Sequence, residues 1–210
     1  MGRAEILLIG AGGHARSCAD VIERGGAYEI VGLVGVPSEV GQFCLGYPII
    51  GTDSELLHLA GSHPNALISI GQIESPTPRI RLFDLALAAG FAMPAIISPL
   101  AYVSRHALIG DGSVVMHGAI VNAGAVIGRN CIVNTHAVIE HDAVVEDHCH
   151  ISTTAILNGG VMVGAGSFIG SGAIIREGLC LPGRSFIRMG SCVTHSPTCD
   201  QDATNQSRHD

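Results

Sequence analysis

Residues 119–133 read AIVNAGAVIGRNCIV, and three times in this stretch a small residue stands two positions before an aliphatic one. The pairs are Ala119 and Val121, Ala125 and Ile127, and Cys131 and Val133. Alternate residues of a β-strand point to the same side, so both members of a pair share one face. The six-residue spacing between pairs therefore predicts very short strands separated by regular turns.

The same period extends well beyond this stretch. Every sixth residue from Val103 to Val193 is aliphatic, and the residue two positions earlier is almost always Ala, Ser or Cys, with Val161 and Leu179 as exceptions. A hexapeptide period is typical of a parallel β-helix, in which small and aliphatic side chains fill a narrow core. Such a core has little room for aromatic side chains, which make up only 4% of the chain.

The first half of the chain has a different pattern, in which strands alternate with helices. Apolar strand runs occupy 5–10, 29–34, 66–70 and 95–97, and helical segments occupy 13–24, 53–60 and 78–90. This alternation predicts a small parallel sheet flanked by helices. We therefore expect an α/β fold followed by a β fold: a Rossmann-like domain at residues 1–97, a parallel β-helix at 98–195 and a disordered tail at 196–210.

Composition excludes several classes of protein. The chain has 11 Lys and Arg against 18 Asp and Glu, and nucleic-acid affinity depends on cations, so we expect no nucleic-acid partner. The seven cysteines are scattered without a C-x-x-C spacing, so the sequence predicts no metal site. No apolar run is long enough for a membrane span and no signal peptide is recognisable, so we expect a cytoplasmic protein without membrane insertion.

The turn after the first strand has the sequence GAGGHA, from Gly10 to Ala15, and fits the G-x-G-x-x-A phosphate-binding pattern. Backbone N–H groups at such a turn, together with the positive end of the following helix, bind phosphate. The sequence therefore predicts a site for the pyrophosphate of a nucleotide. Its residues are Gly10, Gly12, Gly13 and His14, with Gly71 after the third strand.

The glycine turn has two other interpretations. The glycines can serve only to make a tight connection between strand and helix. A complete NAD site is disfavoured, because such a site also needs an acidic residue near the end of the second strand, where this chain has Val34-Gly35-Val36.

Several repeats place a glycine directly after the core aliphatic residue, as in Ile109-Gly110, Ile127-Gly128, Val163-Gly164 and Ile169-Gly170. This tandem pattern resembles that of the left-handed β-helix acyltransferases. In that fold three hexapeptides form one triangular coil of about 18 residues. The resemblance implies a left-handed parallel β-helix of about five coils.

The GAGGHA turn and the segment VNTHAVIEHD at 133–142 together resemble the NeuD/PglD group of sugar O- and N-acyltransferases. The resemblance implies acetyl transfer from acetyl-CoA to the amine of a nucleotide-linked sugar of the UDP-4-amino-4,6-dideoxy type, in bacterial surface glycan biosynthesis. It also implies a nucleotide on the first domain and an active site between the β-helices of a homotrimer. The alternatives are an O-acetyltransferase acting on a sialic acid or related nonulosonate, and a non-catalytic β-helix assembly module.

Outward-facing positions of the repeats independently favour assembly. The residue before each core aliphatic is itself apolar in most repeats, and its side chain points away from the core. A monomer would expose these rows as a large apolar patch, so the sequence predicts a homotrimer that covers them. The residues are Leu108, Val114, Ile120, Val126, Ile132, Val138 and Val144.

His141 is the candidate general base. It stands at a predicted corner, and the residues one coil before and after it, Ala123 and Gly159, are small. The small neighbours leave room for a thioester beside the imidazole, a group whose titration range suits a general base. Glu140 and Asp142 flank the histidine, and either carboxylate can orient its ring. The resemblance implies the same histidine, usually followed by Glu where this chain has Asp142.

The resemblance also implies an acetyl-CoA pocket, with acetyl-CoA as co-substrate. His150 occupies an outward position that other repeats fill with apolar residues, so we expect it to contact an acyl group or a partner chain. Asn134 matches an asparagine of the family's site segment. Backbone groups near Gly159, Ser171 and Gly190 are expected to meet the pantetheine arm.

Overall fold

A computed structural model of the chain describes residues 2–195, and the predicted tail at 196–210 lies outside the described residues. The first part forms an α/β unit. Its elements are β1 (Ala4–Ile9), α1 (Gly13–Gly25), β2 (Tyr28–Val34), β3 (Phe43–Cys44), β4 (Tyr47–Gly51), α2 (Leu56–Ala60), β5 (Ala66–Ile68) and α3 (Thr77–Ala89). The five strands form one sheet in the order β3-β4-β2-β1-β5. β1, β2, β4 and β5 run parallel, and β3 is antiparallel to β4.

The alternation of strands and helices predicted for this unit is confirmed, but the β3–β4 hairpin was missed. Its turn residues, Leu45 and Gly46, have φ angles of 50° and 84°. A hairpin turn of this type needs two positive φ angles, and its two central residues are usually Asn-Gly or Asp-Gly. Leucine rarely adopts a positive φ, so the sequence carries no recognisable hairpin signal here.

The second part is a β-helix of two-residue strands that form three parallel sheets. The first face contains β6 (Ile96–Ile97), β9 (Val114–Val115), β12 (Ile132–Val133), β15 (His150–Ile151), β18 (Phe168–Ile169) and β21 (Phe186–Ile187). The second contains β7 (Tyr102–Val103), β10 (Ile120–Val121), β13 (Val138–Ile139), β16 (Ile156–Leu157), β19 (Ile174–Ile175) and β22 (Cys192–Val193). The third contains β8 (Leu108–Ile109), β11 (Val126–Ile127), β14 (Val144–Val145), β17 (Met162–Val163) and β20 (Cys180–Leu181).

Successive strands of one face pair at a separation of one coil, as Val121 pairs with Ile139 and Ile139 with Leu157. The small and aliphatic residues of the repeat are buried inside the coils, so Ala137 and Ile139 both have no exposed surface. The chain completes five coils before β21 and β22 begin a sixth. The prediction of a parallel β-helix of about five coils is therefore confirmed.

We call the contact between the α/β unit and the first face of the β-helix the seam. One strand at the seam joins a different sheet from the one predicted. Ile96–Ile97, predicted as a strand of the first unit, pairs in parallel with Val114–Val115 and so begins the first face of the β-helix. A two-residue strand after a helix carries no signal that tells which sheet it will join. β6 lies directly before the predicted domain boundary at residues 97 and 98, and the position of that boundary stays a prediction.

Part of the apolar surface assigned to trimer contacts is covered within the chain itself. Val114 and Ile132, on the first face, are fully buried in one cluster with Cys18 and Ile22 of α1. Their outward exposure was predicted wrongly, because the sequence does not show which face of the β-helix receives the α/β unit. Leu108, on the third face, remains 66% exposed.

Candidate active site

His141 lies at the corner between the second and third faces, in the turn that follows β13; we call this the second corner. Its Nδ1 is 2.9 Å from Oδ2 of Asp142, and both side chains are about two-thirds exposed or more, at 67% and 73%. Since the carboxylate can only accept, Nδ1 carries the proton, and the lone pair of the neutral ring is on Nε2. The ring therefore has the tautomer that a general base needs.

Gly159 provides the space that His141 occupies. A Cβ at this glycine would lie 2.7 Å from both Cε1 and Nε2 of the imidazole, which is closer than any Cβ can stand. The ring thus lies directly over the backbone of the next coil. Gly159 therefore makes room for the imidazole itself. The expectation that the small neighbours leave space for a thioester stays a prediction.

Asp142 and Glu140, which the sequence left as alternative orienting groups, have different partners. Glu140 accepts a hydrogen bond from Nδ2 of Asn122 in the preceding coil, at 2.9 Å. Asp142 instead contacts the imidazole, and it holds a φ of 60° in the turn. Of the two carboxylates, only Asp142 is placed to fix the ring of His141.

The glycine turn lies at the carboxyl end of β1, as predicted, and a cavity of about 320 Å³ opens beside it. Gly12 precedes α1 without any side-chain cap, and α1 has no acidic residue in its first turn, so no side chain covers the positive end of the helix. A Cβ at Gly12 or Gly13 would meet nothing within 4 Å. The backbone at both positions is therefore open to a ligand.

Within the glycine turn Gly10 has a positive φ, at 123°, and Gly13 does not. A Cβ at Gly10 would lie 2.5 Å from Cγ2 of Ile70, so this glycine is required by the packing of β1 on the segment after β5. Gly10 and Gly12 both border the cavity. Gly10 is in addition required by the packing of the fold, whereas a Cβ at Gly12 or Gly13 would meet no other group.

Three charged residues border the same cavity and were not predicted from the sequence to lie there: Glu39, Asp53 and Arg81. Glu39 follows β2 in a short 3₁₀ helix, Pro37–Glu39, and its Oε2 accepts from the backbone N–H of Val36 at 3.0 Å. Asp53 is paired with Arg81 at 2.8 Å. An acidic residue does therefore follow the second strand, but a few positions later than the usual pattern places it.

His14 and Arg79 lie beneath this turn at the seam between the two parts of the chain. Burial, the Arg79 charge and His150 lower the pKa of His14 to about 3, so its ring is neutral. Arg79 is fully buried and donates from Nη1 to the carbonyls of Ile68 and Ile70, at 2.7 and 2.8 Å. Burial lowers the pKa of Arg79 to about 10, which leaves the guanidinium charged at neutral pH.

His150 does not face outward toward a partner chain as expected. It is 6% exposed and lies on the first face, where the α/β unit covers it. Its Nδ1 contacts the carbonyl oxygen of Gln72 at 2.5 Å, and its Nε2 contacts Nδ2 of Asn134 at 3.1 Å. Both ring nitrogens are therefore engaged within the chain.

The other residues predicted to bind acetyl-CoA fall into two groups. Asn134, Ser171 and Gly190 lie at the corner between the first and second faces, which we call the first corner; the Gly190 N–H donates to the Ser171 carbonyl at 2.8 Å. Gly159 lies at the second corner beside His141. The second face separates the two corners within one chain, so a single chain does not bring all predicted residues together.

A second polar connection crosses the seam at α1. His117 Nε2 is 2.7 Å from Oδ2 of Asp20, and its Nδ1 is 2.6 Å from Oγ of Ser98. Ser98 is only 1% exposed, and its Oγ also accepts from the backbone N–H of Leu100 at 3.0 Å. A buried oxygen with two partners is not an accessible nucleophile, so this serine–histidine–aspartate set connects the two parts of the chain.

Two kinds of site are not found in residues 2–195. No cluster of three or more His, Cys, Asp or Glu side chains is arranged to hold a metal ion there. None of the described helices has both the length and the apolar character needed to cross a membrane.

Comparison with known proteins assigns both parts of the chain. Residues 5–83 match the family model of the PglD N-terminal domain, and residues 106–141 match that of the bacterial transferase hexapeptide (six repeats). No curated protein matches the chain in a sequence search.

Solved structures match over nearly the whole chain. The acetyltransferase domain of PglB from Neisseria gonorrhoeae FA1090, in complex with acetyl coenzyme A, is 33% identical, with a TM-score of 0.85 and 93% of each chain covered. A histidine-to-asparagine variant of perosamine N-acetyltransferase from Caulobacter crescentus, in complex with CoA and GDP-perosamine, is 29% identical, with a TM-score of 0.86, 93% of this chain and 90% of that chain covered. WeeI from Acinetobacter baumannii AYE, at 20% identity and a TM-score of 0.74, shares the fold.

A left-handed β-helix of hexapeptide repeats, joined to an α/β unit with a glycine turn, defines the class of hexapeptide acyltransferases. The chain belongs to the NeuD/PglD family of sugar acyltransferases within this class. The resemblance stated from the GAGGHA turn and the segment at 133–142 is thereby confirmed.

Proposed function

We propose that the protein transfers the acetyl group of acetyl-CoA to the amine of a nucleotide-linked amino-deoxy sugar, in the cytoplasmic synthesis of a bacterial surface glycan. The observation that carries the proposal is the exposed His141–Asp142 pair over Gly159, together with an open phosphate-binding turn on the same chain. The relatives with CoA, acetyl coenzyme A and GDP-perosamine in their structures support this choice of substrates.

The reaction follows from the geometry of His141. The sugar amine attacks the thioester carbonyl carbon, and the new C–N bond forms as Nε2 of His141 takes one proton from the nitrogen. Asp142, at 2.9 Å from Nδ1, stabilises the imidazolium. When the tetrahedral adduct collapses, the C–S bond breaks and the proton passes from His141 to the CoA thiolate.

We propose that the active site is shared between two chains of a homotrimer. The α/β unit that binds the nucleotide covers the first face, whereas His141 lies at the far edge of the second face. A neighbouring chain that sets its second corner against this chain's first corner unites Asn134, Ser171 and Gly190 with a second copy of His141 and Gly159. Such a heterologous contact closes into a ring of three.

Turnover on defined substrates tests the reaction. The protein is incubated with acetyl-CoA and UDP-, GDP-, dTDP- or CMP-linked amino sugars, with free sialic acids as the competing acceptors, and products are identified by mass spectrometry. We expect a gain of one acetyl group on a nucleotide-linked amine. Transfer only to a hydroxyl of a free sialic acid would favour the O-acetyltransferase, and no transfer to any acceptor would favour the assembly module.

Co-expression of two inactive variants tests the shared site. His141→Ala removes the proposed base, and Gly13→Val adds a side chain at the proposed phosphate site, where a Cβ would meet nothing within 4 Å. In random trimers about a quarter of the sites combine an intact turn from one chain with an intact His141 from its neighbour. We expect about a quarter of wild-type activity, whereas a site within one chain predicts the activity of the separate variants, which is close to zero.

A further inference from the structure

Gln72 is a loop residue that is almost completely buried. It follows β5 and Gly71, is 2% exposed, and donates from Nε2 to the carbonyl oxygens of His148 and Ser167, at 2.9 and 3.4 Å. Both acceptors belong to turns of the β-helix that lead into the first face. The side chain therefore holds the loop of the α/β unit against two successive coils.

The main chain of Gln72 decides the state of His150. A carbonyl oxygen only accepts hydrogen bonds, so the 2.5 Å contact requires that Nδ1 of His150 carries the proton. Burial lowers the pKa of His150 to about 4, with the Arg79 charge acting in the same direction, so the ring is neutral and Nε2 is a lone pair. Phe168 holds the ring plane in an edge-on contact with centroids 5.3 Å apart.

The state of His150 in turn fixes Asn134 at the first corner. The lone pair on Nε2 accepts from Nδ2 of Asn134 at 3.1 Å, while Oδ1 of Asn134 accepts from the Thr135 N–H at 2.8 Å. If the proton moved to Nε2, two N–H groups would face each other and the amide would have to turn. The orientation of the Asn134 amide therefore depends on a carbonyl in the other part of the chain.

The same loop also borders the phosphate-binding turn. A Cβ on Gly71 would lie 3.9 Å from Cβ of His14, so this glycine packs beside the first turn of α1. Oε1 of Gln72 and Nε2 of His14 are both buried without a hydrogen-bond partner among the described residues. The loop thus contacts the glycine turn through Gly71 and the first face of the β-helix through Gln72, and it reaches Asn134 through His150.

We propose that Gln72 is a positioning residue: it holds the loop that fixes the tautomer of His150 and, through it, the orientation of the Asn134 amide. The proposal rests on the proposed function, since Asn134 affects turnover only if the first corner belongs to the acetyl-transfer site. Gln72 touches neither substrate. Its effect is on the geometry of the groups that do.

The tautomer is measured first in the unmodified full-length protein, without any substrate. Side-chain ¹⁵N resonances of the histidines are recorded by NMR, and His150→Asn identifies the signals of His150 by their disappearance. We expect a protonated Nδ1 and an unprotonated Nε2 in the wild type. A His150 protonated at Nε2 would overturn the proposal, whatever the protein's substrate is.

Gln72→Met then removes both side-chain hydrogen bonds at nearly constant volume, and Gln42→Ala, an exposed residue of the same unit, is the control. In Gln72→Met we expect the single His150 tautomer to become a mixture and kcat to fall roughly 10- to 100-fold, with nucleotide-sugar affinity within about twofold. Unchanged His150 resonances or an unchanged kcat in a folded variant would contradict the proposal. Gln42→Ala should match the wild type in both measurements.

Discussion

The second corner and the seam between the two parts of the chain both contain histidines, but in opposite environments. His141 is 67% exposed and has one partner, Asp142, whereas His150 is 6% exposed and has a partner at each ring nitrogen. An exposed imidazole with a lone pair on Nε2 can exchange a proton with a substrate. A buried imidazole with both nitrogens engaged instead holds its neighbours in place.

The exposed corner is therefore suited to proton transfer, and the buried seam is suited to holding other groups in place. The second corner depends on few contacts in the chain, so substitutions there should change turnover and leave the fold intact. The seam combines Arg79, Gln72 and Asn130, all buried, so changes there should act on stability and geometry together. Each prediction below tests one side of this contrast.

The largest effect is expected at His141. His141→Ala should lower kcat by roughly 10²- to 10⁴-fold, because the sugar amine loses the base that takes its proton. Acetyl-CoA affinity and the thermal unfolding midpoint should stay close to those of the wild type, since the side chain is exposed. Steady-state kinetics and calorimetry measure the three quantities. A variant that keeps more than about a third of the wild-type kcat would show that another group is the base.

Gly159→Ala should have the next largest effect. The added Cβ would lie 2.7 Å from Cε1 and Nε2 of His141, so the exposed ring has to leave its present position. We expect a fall in kcat of roughly 10- to 100-fold in a folded protein. The control is Gly183→Ala, at another β-helix turn, where the nearest atom to the added Cβ is the Ala165 oxygen at 3.2 Å. Equal kcat values for the two variants would show that Gly159 does not position the base.

The residues that meet at the second corner could be predicted from the sequence, whereas the contacts at the seam could not. A repeat of six residues fixes which positions face the core, so the corner with His141, Asp142 and Gly159 followed from counting. No periodicity in the chain encodes which face receives the α/β unit. Val114 and Ile132 were therefore assigned to a partner chain, and His150 was expected on an outer surface.

The charged residues at the cavity beside the glycine turn could not be predicted from the sequence, for a related reason. Glu39, Asp53 and Arg81 come from three separate segments, and only the packed fold brings them to the mouth of one cavity. The glycine turn could be found because its residues are consecutive. That packing requires a glycine at Gly10 and leaves Gly13 open follows only from three-dimensional distances, such as that from Gly10 to Ile70.

Acid should destabilise the seam, where two buried histidines are neutral. Burial lowers the pKa of His150 to about 4 and that of His14 to about 3, from 6.5 in each case. Below pH 6.5 the unfolded chain binds protons that the folded chain does not, so the stability from these neutral rings is complete above that pH and decreases as the pH falls. Between pH 6.5 and 5 the loss should reach about 2 kcal/mol for each histidine.

Denaturant unfolding at a series of pH values measures this loss. His150→Asn, which keeps a donor near the Gln72 carbonyl but does not titrate, should show a shallower decrease over the same interval. The groups that face His150 include the buried Arg79, which stays charged throughout this range. A pH dependence identical in wild type and variant would contradict the assignment to His150.

The smallest effect is expected at Asp20. This residue forms the only exposed end of the connection from α1 to Ser98 through His117, and its side chain is 64% exposed, against 23% for His117. A contact between a carboxylate and an imidazole that is open to water is worth at most about 1 kcal/mol, because solvent and salt screen it. Asp20→Asn keeps a hydrogen-bond acceptor for His117 Nε2, so we expect a loss of less than about 1 kcal/mol in the free energy of unfolding and an unchanged kcat. A loss of several kcal/mol would mean that the seam depends on its exposed pair, and not on the buried contacts of Arg79, Gln72 and His150.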